Sequence, residues 1–302
     1  MPKIAVIGGG NVGGQCALAI AQKGLADVVL IDILGDLAKG KALDISQALP
    51  GCGVDVSVTG SEDFKELKGS DIVVVTAGVA RTQDVKDRKA LFDKNKKIIT
   101  EVCKEIKDYA PESIVIIVTN PLDMMTKIAY DVLGFDKKRV LGMGGQLDSL
   151  RFAQKIKKYF KCSYKDISTT VIGMHGKEMI PLPEFSSIKG IPLPELLAPQ
   201  EIDQIVEETK NGGQEVVEYL KTGSAYFAPG EAISMMVESI LGDTNKIVCA
   251  SVLLEDDYGQ DGIFLGVPVM LGKKGLHKII KLNLSDEAKS SFKKAAKVVK
   301  AG

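Results

Sequence analysis

The sequence lacks the features that mark nucleic-acid-binding, membrane or secreted proteins. Its 302 residues include 39 Lys and Arg and 39 Asp and Glu, so the net charge is zero and no basic surface for nucleic acid or anionic membrane is predicted. No apolar run approaches the roughly 20 residues that a bilayer-crossing helix needs, and the first residues show no signal-peptide pattern. We therefore expect a globular cytoplasmic protein.

Cysteine and histidine are also scarce. The five cysteines are widely spaced and include no C-x-x-C pair, which is typical of free thiols in a reducing compartment and predicts neither a disulfide framework nor a metal site. Only two histidines are present. His277 lies near a lysine-rich segment and is interpreted as a surface residue, which leaves His175 as the candidate for proton transfer near neutral pH.

Short apolar runs alternate with segments of helical periodicity over residues 1–143. This alternation predicts an α/β fold, with parallel βαβ units and helices on both faces of a doubly wound sheet of the Rossmann type. After Gly142 the pattern changes and predicts an α+β domain over residues 144–302. The strands predicted in the first part are 3–7, 27–31, 54–58, 71–76, 113–118 and 139–141, and those predicted in the second part are 168–172, 246–254 and 262–271.

The α+β part contains a long predicted helix over residues 204–220. It is interrupted at Asn211-Gly212-Gly213. Glycine inside a helix costs about 1 kcal/mol against alanine, so close packing or a kink is expected there to offset this cost.

The first apolar run leads into a glycine-rich turn. Gly8, Gly10 and Gly13 match the pattern G-x-G-x-x-G, with Asn11 and Val12 between them, and a helical segment follows. The first glycine permits the tight turn, the second lets a pyrophosphate approach the main chain, and the third lets the helix pack on the strand. The N–H groups at the helix start would face the phosphates. Alone, the motif is also compatible with a turn that binds nothing.

The second predicted strand ends at Asp32, about 20 residues after the glycine-rich turn, where a dinucleotide-binding unit has an acid for the ribose hydroxyls. A carboxylate there would repel a 2′-phosphate, so the sequence favours NAD over NADP. The alternative is that Asp32 is an ordinary turn or helix-capping acid.

Polar residues and glycines follow other predicted strands as well. Gly78 and Asn120 are expected at the carboxyl edge of the sheet, where ligands of such sheets bind. The polar loop 77–88 starts at the same edge and carries Arg81 and Arg88, so it could close over a substrate. The alternative is a surface loop whose arginines pair with its own aspartates.

Three polar residues of the second part suit the handling of a carboxylate and a proton. Asp148 and Arg151 are three positions apart on a predicted helix and share a face. His175 follows a predicted strand and lies between Gly173 and Gly176, and these flanking glycines leave its ring accessible. The alternatives are a surface ion pair and a structural histidine bonded to main chain.

Taken together, five ordered motifs resemble those of the lactate/malate dehydrogenases, and the resemblance covers nearly the whole chain. The motifs are Gly8-x-Gly10-x-x-Gly13, Asp32, Thr119-Asn120-Pro121-Leu122-Asp123, Leu147-Asp148-Ser149-x-Arg151-Phe152 and Gly173-Met174-His175-Gly176.

The resemblance implies roles for the polar residues. His175 would take the hydroxyl proton as a hydride leaves carbon 2 for nicotinamide, and Asp148 would orient the imidazole. Arg151 would hold the substrate's 1-carboxylate, and Arg88 would polarise the carbonyl. Residues 1–143 would bind NAD and 144–302 would be the catalytic domain. The implied cofactor-binding residues are Gly8, Gly10, Asn11, Val12, Gly13, Asp32, Gly78, Asn95, Val118 and Asn120, of which Asn120 would hold either the nicotinamide end or a substrate oxygen.

Substrate choice is assigned by the same resemblance to Arg81, which would pair with a second carboxylate and select oxaloacetate and malate. The segment between Arg81 and Arg88 is one residue longer than in the malate branch, so Thr82 takes the selecting position unless the extra residue forms a bulge. Lys177 also replaces the usual acid after the histidine. Lactate or broad 2-hydroxyacid specificity, an NAD-dependent glycosidase and a non-catalytic dinucleotide sensor are the alternatives. A homotetramer, or a dimer, is implied.

Overall fold

The structure is a computed structural model that describes residues 1–79 and 88–301, without the side chain of Arg88. Its first six strands are parallel and lie side by side in the order β3-β2-β1-β4-β5-β6, the doubly wound order. They are β1 (Lys3–Ile7), β2 (Asp27–Ile31), β3 (Val58–Ser61), β4 (Ile72–Val75), β5 (Ile114–Ile117) and β6 (Val140–Gly142).

The central strands are apolar throughout because helices cover both faces of the sheet. Ile4 and Val6 of β1 belong to one apolar cluster with the helices at 11–22 and 35–52, while Ala5 and Ile7 belong to another with the helices at 88–109 and 122–133. This alternation follows from the two-residue period of a strand. The helices are α1 (Asn11–Gln22), α2 (Gly35–Cys52), α3 (Arg88–Tyr109) and α4 (Leu122–Leu133).

The second part extends the same sheet with antiparallel strands. β6 meets β12 (Lys246–Asp257) through the pair Gly142 and Ser251, and β13 (Gln260–Gly272), β8 (Val171–Gly173) and β9 (Met179–Pro181) follow in that order. The other strands and helices of the second part are α5 (Gly145–Tyr159), β7 (Ile167–Ser168), β10 (Ser187–Ile188), β11 (Ile191–Pro192), α6 (Leu193–Leu196), α7 (Pro199–Leu220), α8 (Phe227–Leu241), β14 (Gly275–Ile279) and α9 (Asp286–Ala301).

The predicted α/β class, with its parallel sheet and α+β second part, is confirmed, but some predicted elements are wrong in detail. The strand predicted at 54–58 is β3, which begins only at Val58 because the N–H of Ser57 binds the Asp27 carboxylate. The strand predicted at 168–172 is divided into β7 and β8. Thr170 separates them because its N–H and hydroxyl bond to the chain at 185–186.

Within residues 1–79 and 88–301, no helix is long and apolar enough to span a membrane.

Gly13 and Gly10 give a matched test of how the first helix packs on the first strand. A Cβ on Gly13 would lie 1.8 Å from the carbonyl oxygen of Gly8, whereas a Cβ on Gly10 would meet nothing within 4 Å. We expect Gly13→Ala to lower the free energy of unfolding in urea by about 1–3 kcal/mol or more. Gly10→Ala should leave it unchanged or raise it by up to about 1 kcal/mol. Equal effects of the two substitutions would contradict this packing.

Candidate active site

The glycine-rich turn and Asp32 lie together at the carboxyl ends of β1 and β2. The N–H of Gly9 donates to Oδ2 of Asp32 at 2.5 Å, and the N–H of Leu34 donates to Oδ1 at 2.9 Å. Gly10 caps α1 without a side chain that could bond the amides of the first turn, so those amides face outward at the positive end of the helix. The edge therefore offers amide donors for phosphates next to a carboxylate acceptor for a ribose.

Lys41 on α2 also belongs to this edge, although the sequence did not predict it there. Its ammonium donates to the carbonyl oxygen of Gly10 at 2.8 Å. Burial lowers the pKa of Lys41, and the charge of Asp32 acts in the opposite direction. A single lysine within a helix gives no signal of such a position, because the contact depends on how α2 crosses the turn.

Asn95 holds the next part of the edge together. Its side chain accepts from the N–H of Val79 at 2.7 Å and donates to the carbonyl oxygen of Asn120 at 2.7 Å, and the residue is only 1% exposed. Gly78 packs tightly beside it, since a Cβ there would lie 2.5 Å from Cγ2 of Thr119. Asn95 thus sets the positions of the chain segments that follow β4 and β5.

His175, Asp148 and Arg151 come together as the sequence analysis expected. Nδ1 of His175 lies 2.9 Å from Oδ2 of Asp148, and Nη1 of Arg151 donates to Oδ1 of the same carboxylate at 3.2 Å. Asp148 is 1% exposed, so its charge is balanced by these two partners and not by water. With Asp148 ionised, Nδ1 carries a proton, which leaves Nε2 as the atom that can accept or donate one.

The acid–base properties of His175 follow from this arrangement. Burial lowers the pKa of the imidazole, but the charge of Asp148 and its hydrogen bond raise it, and the net pKa is above the usual value. Arg151 opposes this increase. The pair therefore stabilises the imidazolium form that a proton transfer produces.

Asp123, at the start of α4, contacts the same histidine at its main chain. Its Oδ2 accepts from the main-chain N–H of His175 at 3.0 Å, and its Oδ1 accepts from the hydroxyl of Ser251 at 2.6 Å. Burial raises the pKa of Asp123 to about 6. Asp123 belongs to a motif that the sequence shows, but its position in the sequence predicted no role, and Ser251 carried no signal.

The glycines of α7 pack against Arg151. The helix is continuous through Gly212 and Gly213, so the predicted interruption is wrong, whereas the expected close packing is confirmed. A Cβ on Gly213 would lie 3.2 Å from Nη2 of Arg151, and one on Gly212 would lie 3.7 Å from its Cδ. Small residues here leave room for the planar guanidinium.

The loop that was expected to close over a substrate is not described in full. Arg81 and Thr82 lie outside the described residues, and Arg88 begins α3 with its side chain outside them as well. In the described ranges, no group of three or more His, Cys, Asp and Glu could hold a metal ion.

Comparison with known protein families gives two matches that together span the chain. Residues 2–142 match the lactate/malate dehydrogenase NAD binding domain, and residues 145–302 match the lactate/malate dehydrogenase alpha/beta C-terminal domain. The chain belongs to the lactate/malate dehydrogenase family. The family predicted from the ordered motifs is thereby confirmed.

Individual relatives are similar over nearly their full length. The malate dehydrogenase of Methanosarcina mazei is 45% identical over 302 residues, which are 100% of this chain and 98% of that protein. The crystal structure of Cryptosporidium parvum malate dehydrogenase has a TM-score of 0.96 at 36% identity, covering 99% of this chain and 97% of that one. A lactate dehydrogenase from the same organism, complexed with lactic acid and nicotinamide adenine dinucleotide, has a TM-score of 0.95 at 38% identity, covering 99% and 96%.

Proposed function

We propose that the protein is an NAD-dependent malate dehydrogenase, which transfers hydride reversibly between (S)-malate and NAD to give oxaloacetate and NADH. The arrangement of His175, Asp148 and Arg151 carries the proposal, because it combines a proton acceptor, a charge that stabilises the protonated acceptor and a guanidinium for a carboxylate. Relatives named malate dehydrogenase, similar over the full chain, support it.

The described residues fit a bound dinucleotide. The main chain at Gly10 is exposed and has open space where a side chain would be, next to the outward-facing amides of α1. The Asp32 carboxylate accepts ribose hydroxyls and disfavours a 2′-phosphate, which supports NAD over NADP. Val12, Asn11 and Val118 line the same cleft in this proposal. When bound, the nicotinamide accepts or supplies the hydride.

The protein's own residues handle the proton and the substrate charge. In malate oxidation, Nε2 of His175 takes the proton of the 2-hydroxyl, and Asp148 stabilises the resulting imidazolium. Arg151 holds the 1-carboxylate with charge-assisted hydrogen bonds. Arg88 polarises the C2 oxygen, and Asn120 holds either that oxygen or the nicotinamide end.

Arg81 determines the choice of substrate in this proposal by pairing with the second carboxylate of a diacid. A monocarboxylate such as pyruvate would leave the guanidinium without a partner in a closed site, which is costly. The similarity to a lactate dehydrogenase structure supports a second candidate, a lactate or broad 2-hydroxyacid dehydrogenase. If Thr82 occupies the selecting position, this second candidate is favoured.

We also propose that the division between the cofactor and catalytic domains falls between residues 143 and 144, within the short gap between the two family matches. Apolar side chains exposed just before α2 and at the start of α8, among them Ile33 at 84% and Phe227 at 65%, support a homotetramer or dimer.

Free cysteines support a cytoplasmic location, where malate oxidation would serve the tricarboxylic acid cycle.

The two histidines give a matched test of the acid–base role. His175→Asn should lower kcat for oxaloacetate reduction by about 10²-fold to 10⁴-fold, because the proton donor is lost. NADH affinity, measured by fluorescence titration, should not change. His277→Asn on β14, exposed and remote in sequence, is the control and should behave like the wild type. Unchanged turnover of His175→Asn would remove the histidine from its role.

Arg81→Gln tests the source of substrate selectivity. Losing a guanidinium that pairs with the second carboxylate should lower kcat/KM for oxaloacetate by about 30-fold or more, equivalent to about 2 kcal/mol. The value for pyruvate should stay the same or rise. Thr82→Ala is the comparison variant. If Thr82→Ala changes the oxaloacetate to pyruvate ratio and Arg81→Gln does not, the selecting residue is Thr82.

Gly213 and Gly212 test the carboxylate-binding role of Arg151 without altering that residue. Gly213→Ala should displace the guanidinium and raise KM for oxaloacetate several-fold, whereas Gly212→Ala makes ordinary contacts and should have little effect. Both substitutions favour the helix by about 1 kcal/mol, so urea unfolding should show no loss of stability in the control. Identical KM values in the two variants would contradict the assigned role.

A further inference from the structure

Asp123 is a buried carboxylate that the proposed chemistry does not use. It is 1% exposed, and the two hydrogen-bond donors that it has among the described residues, the N–H of His175 and the hydroxyl of Ser251, are uncharged. A neutral side chain such as asparagine could accept the same N–H bond. Because burying a charge costs more than burying an amide, these two hydrogen bonds alone do not account for a carboxylate at this position.

The position of Asp123 links two parts of the chain at the histidine. Asp123 follows β5 and opens α4 in the N-terminal part, whereas Ser251 of β12 and His175 of the β8–β9 turn belong to the C-terminal part. The packing is close here, since a Cβ on Gly144 would lie 3.0 Å from Cβ of His175 and 2.5 Å from Cδ2 of Leu122. The main chain of His175, in the C-terminal part, is therefore held by a residue of the N-terminal part.

The charge of Asp123 also acts on the imidazole. Among the described residues, the charged groups that act on Asp123 and His175, besides each other, are Asp148 and Arg151 of α5. In the same turn as His175, Lys177 is exposed, and Glu178 pairs with Lys294 of α9 at 3.3 Å. Asp123 and Asp148 both favour a protonated His175, and Arg151 opposes them.

We propose that Asp123 is a positioning residue that fixes the main chain of His175 from the N-terminal part of the chain and, together with Asp148, uses its negative charge to favour the imidazolium state. The proposal rests on the proposed function, because it assigns Asp123 to the proton transfer of that reaction. Asp123 is retained as a carboxylate at a cost to stability. Since burial raises its pKa to about 6, ionised Asp123 destabilises the folded protein above that pH, and the cost disappears as the pH falls below the unfolded-state value.

The test compares Asp123→Asn with Asp131→Asn. Asparagine keeps the size and the acceptor for the N–H of His175 but removes the charge, while Asp131 lies on the same helix in an exposed pair with Lys127. Because the chain has only two histidines, NMR titration of the imidazole resonances follows His175 directly, with His277→Asn providing the assignment. We expect Asp123→Asn to lower the pKa of His175 by several tenths of a pH unit and Asp131→Asn to leave it unchanged.

Kinetics and stability provide independent readouts. In Asp123→Asn, the acid limb of kcat/KM for malate oxidation and the alkaline limb for oxaloacetate reduction should both move to lower pH, with NADH affinity unchanged. The midpoint of urea unfolding at pH 8 should rise. Ser251→Ala should shift the limbs in the same direction but less, because it makes the ionised form of Asp123 less favourable.

Two results separate the possible failures. If Asp123→Asn lowers the unfolding midpoint and leaves the His175 titration and both pH limbs unmoved, Asp123 is only structural and the inference is overturned. If the wild-type protein does not reduce oxaloacetate, the proposed function fails, but the His175 titration still decides whether Asp123 acts on the imidazole.

Discussion

The site depends on the hydrogen bond between Nδ1 of His175 and the buried carboxylate of Asp148, at 2.9 Å. A carboxylate that is 1% exposed needs a compensating partner, and here it has two, an imidazole and a guanidinium. The same carboxylate thus orients a proton acceptor and an anion-binding group. Because the imidazole and the guanidinium both bond to this one carboxylate, their positions are fixed relative to one another.

The fold brings this unit to the cofactor cleft through the continuity of the sheet. Six parallel strands end at one edge, where the glycine-rich turn, Asp32 and the segments held by Asn95 converge. The antiparallel strands of the second part join at β6 through Gly142 and Ser251. Ser251 then donates to Asp123, which accepts from the N–H of His175, so hydrogen bonds link the junction between the two halves to the main chain of His175.

Much of this could be predicted from sequence because the signals are local. The alternation of apolar strands and helices determines a parallel sheet, and glycine spacing with an acid after the second strand determines the nucleotide edge. Asp148 and Arg151 share a helix face by their spacing alone. The association with His175 rested on family resemblance, since no local rule connects a helix to a distant strand end.

The features that escaped prediction depend on tertiary contacts. Lys41, Ser251 and Asp123 act through elements that meet only in the folded chain. The continuity of α7 through two glycines reflects the guanidinium packed against it, and local propensity cannot report that contact. Likewise, Thr170 interrupts a β-branched segment because its hydrogen bonds go to a neighbouring turn.

A crystal structure of the complex with NAD and a hydroxylated dicarboxylate that resembles malate would test the central claim most directly. The account predicts Nε2 of His175 within about 3 Å of the ligand's hydroxyl oxygen, with Nδ1 still bonded to Asp148 and Arg151 on a carboxylate. An imidazole turned toward the protein interior, away from the hydroxyl and the nicotinamide, would contradict it.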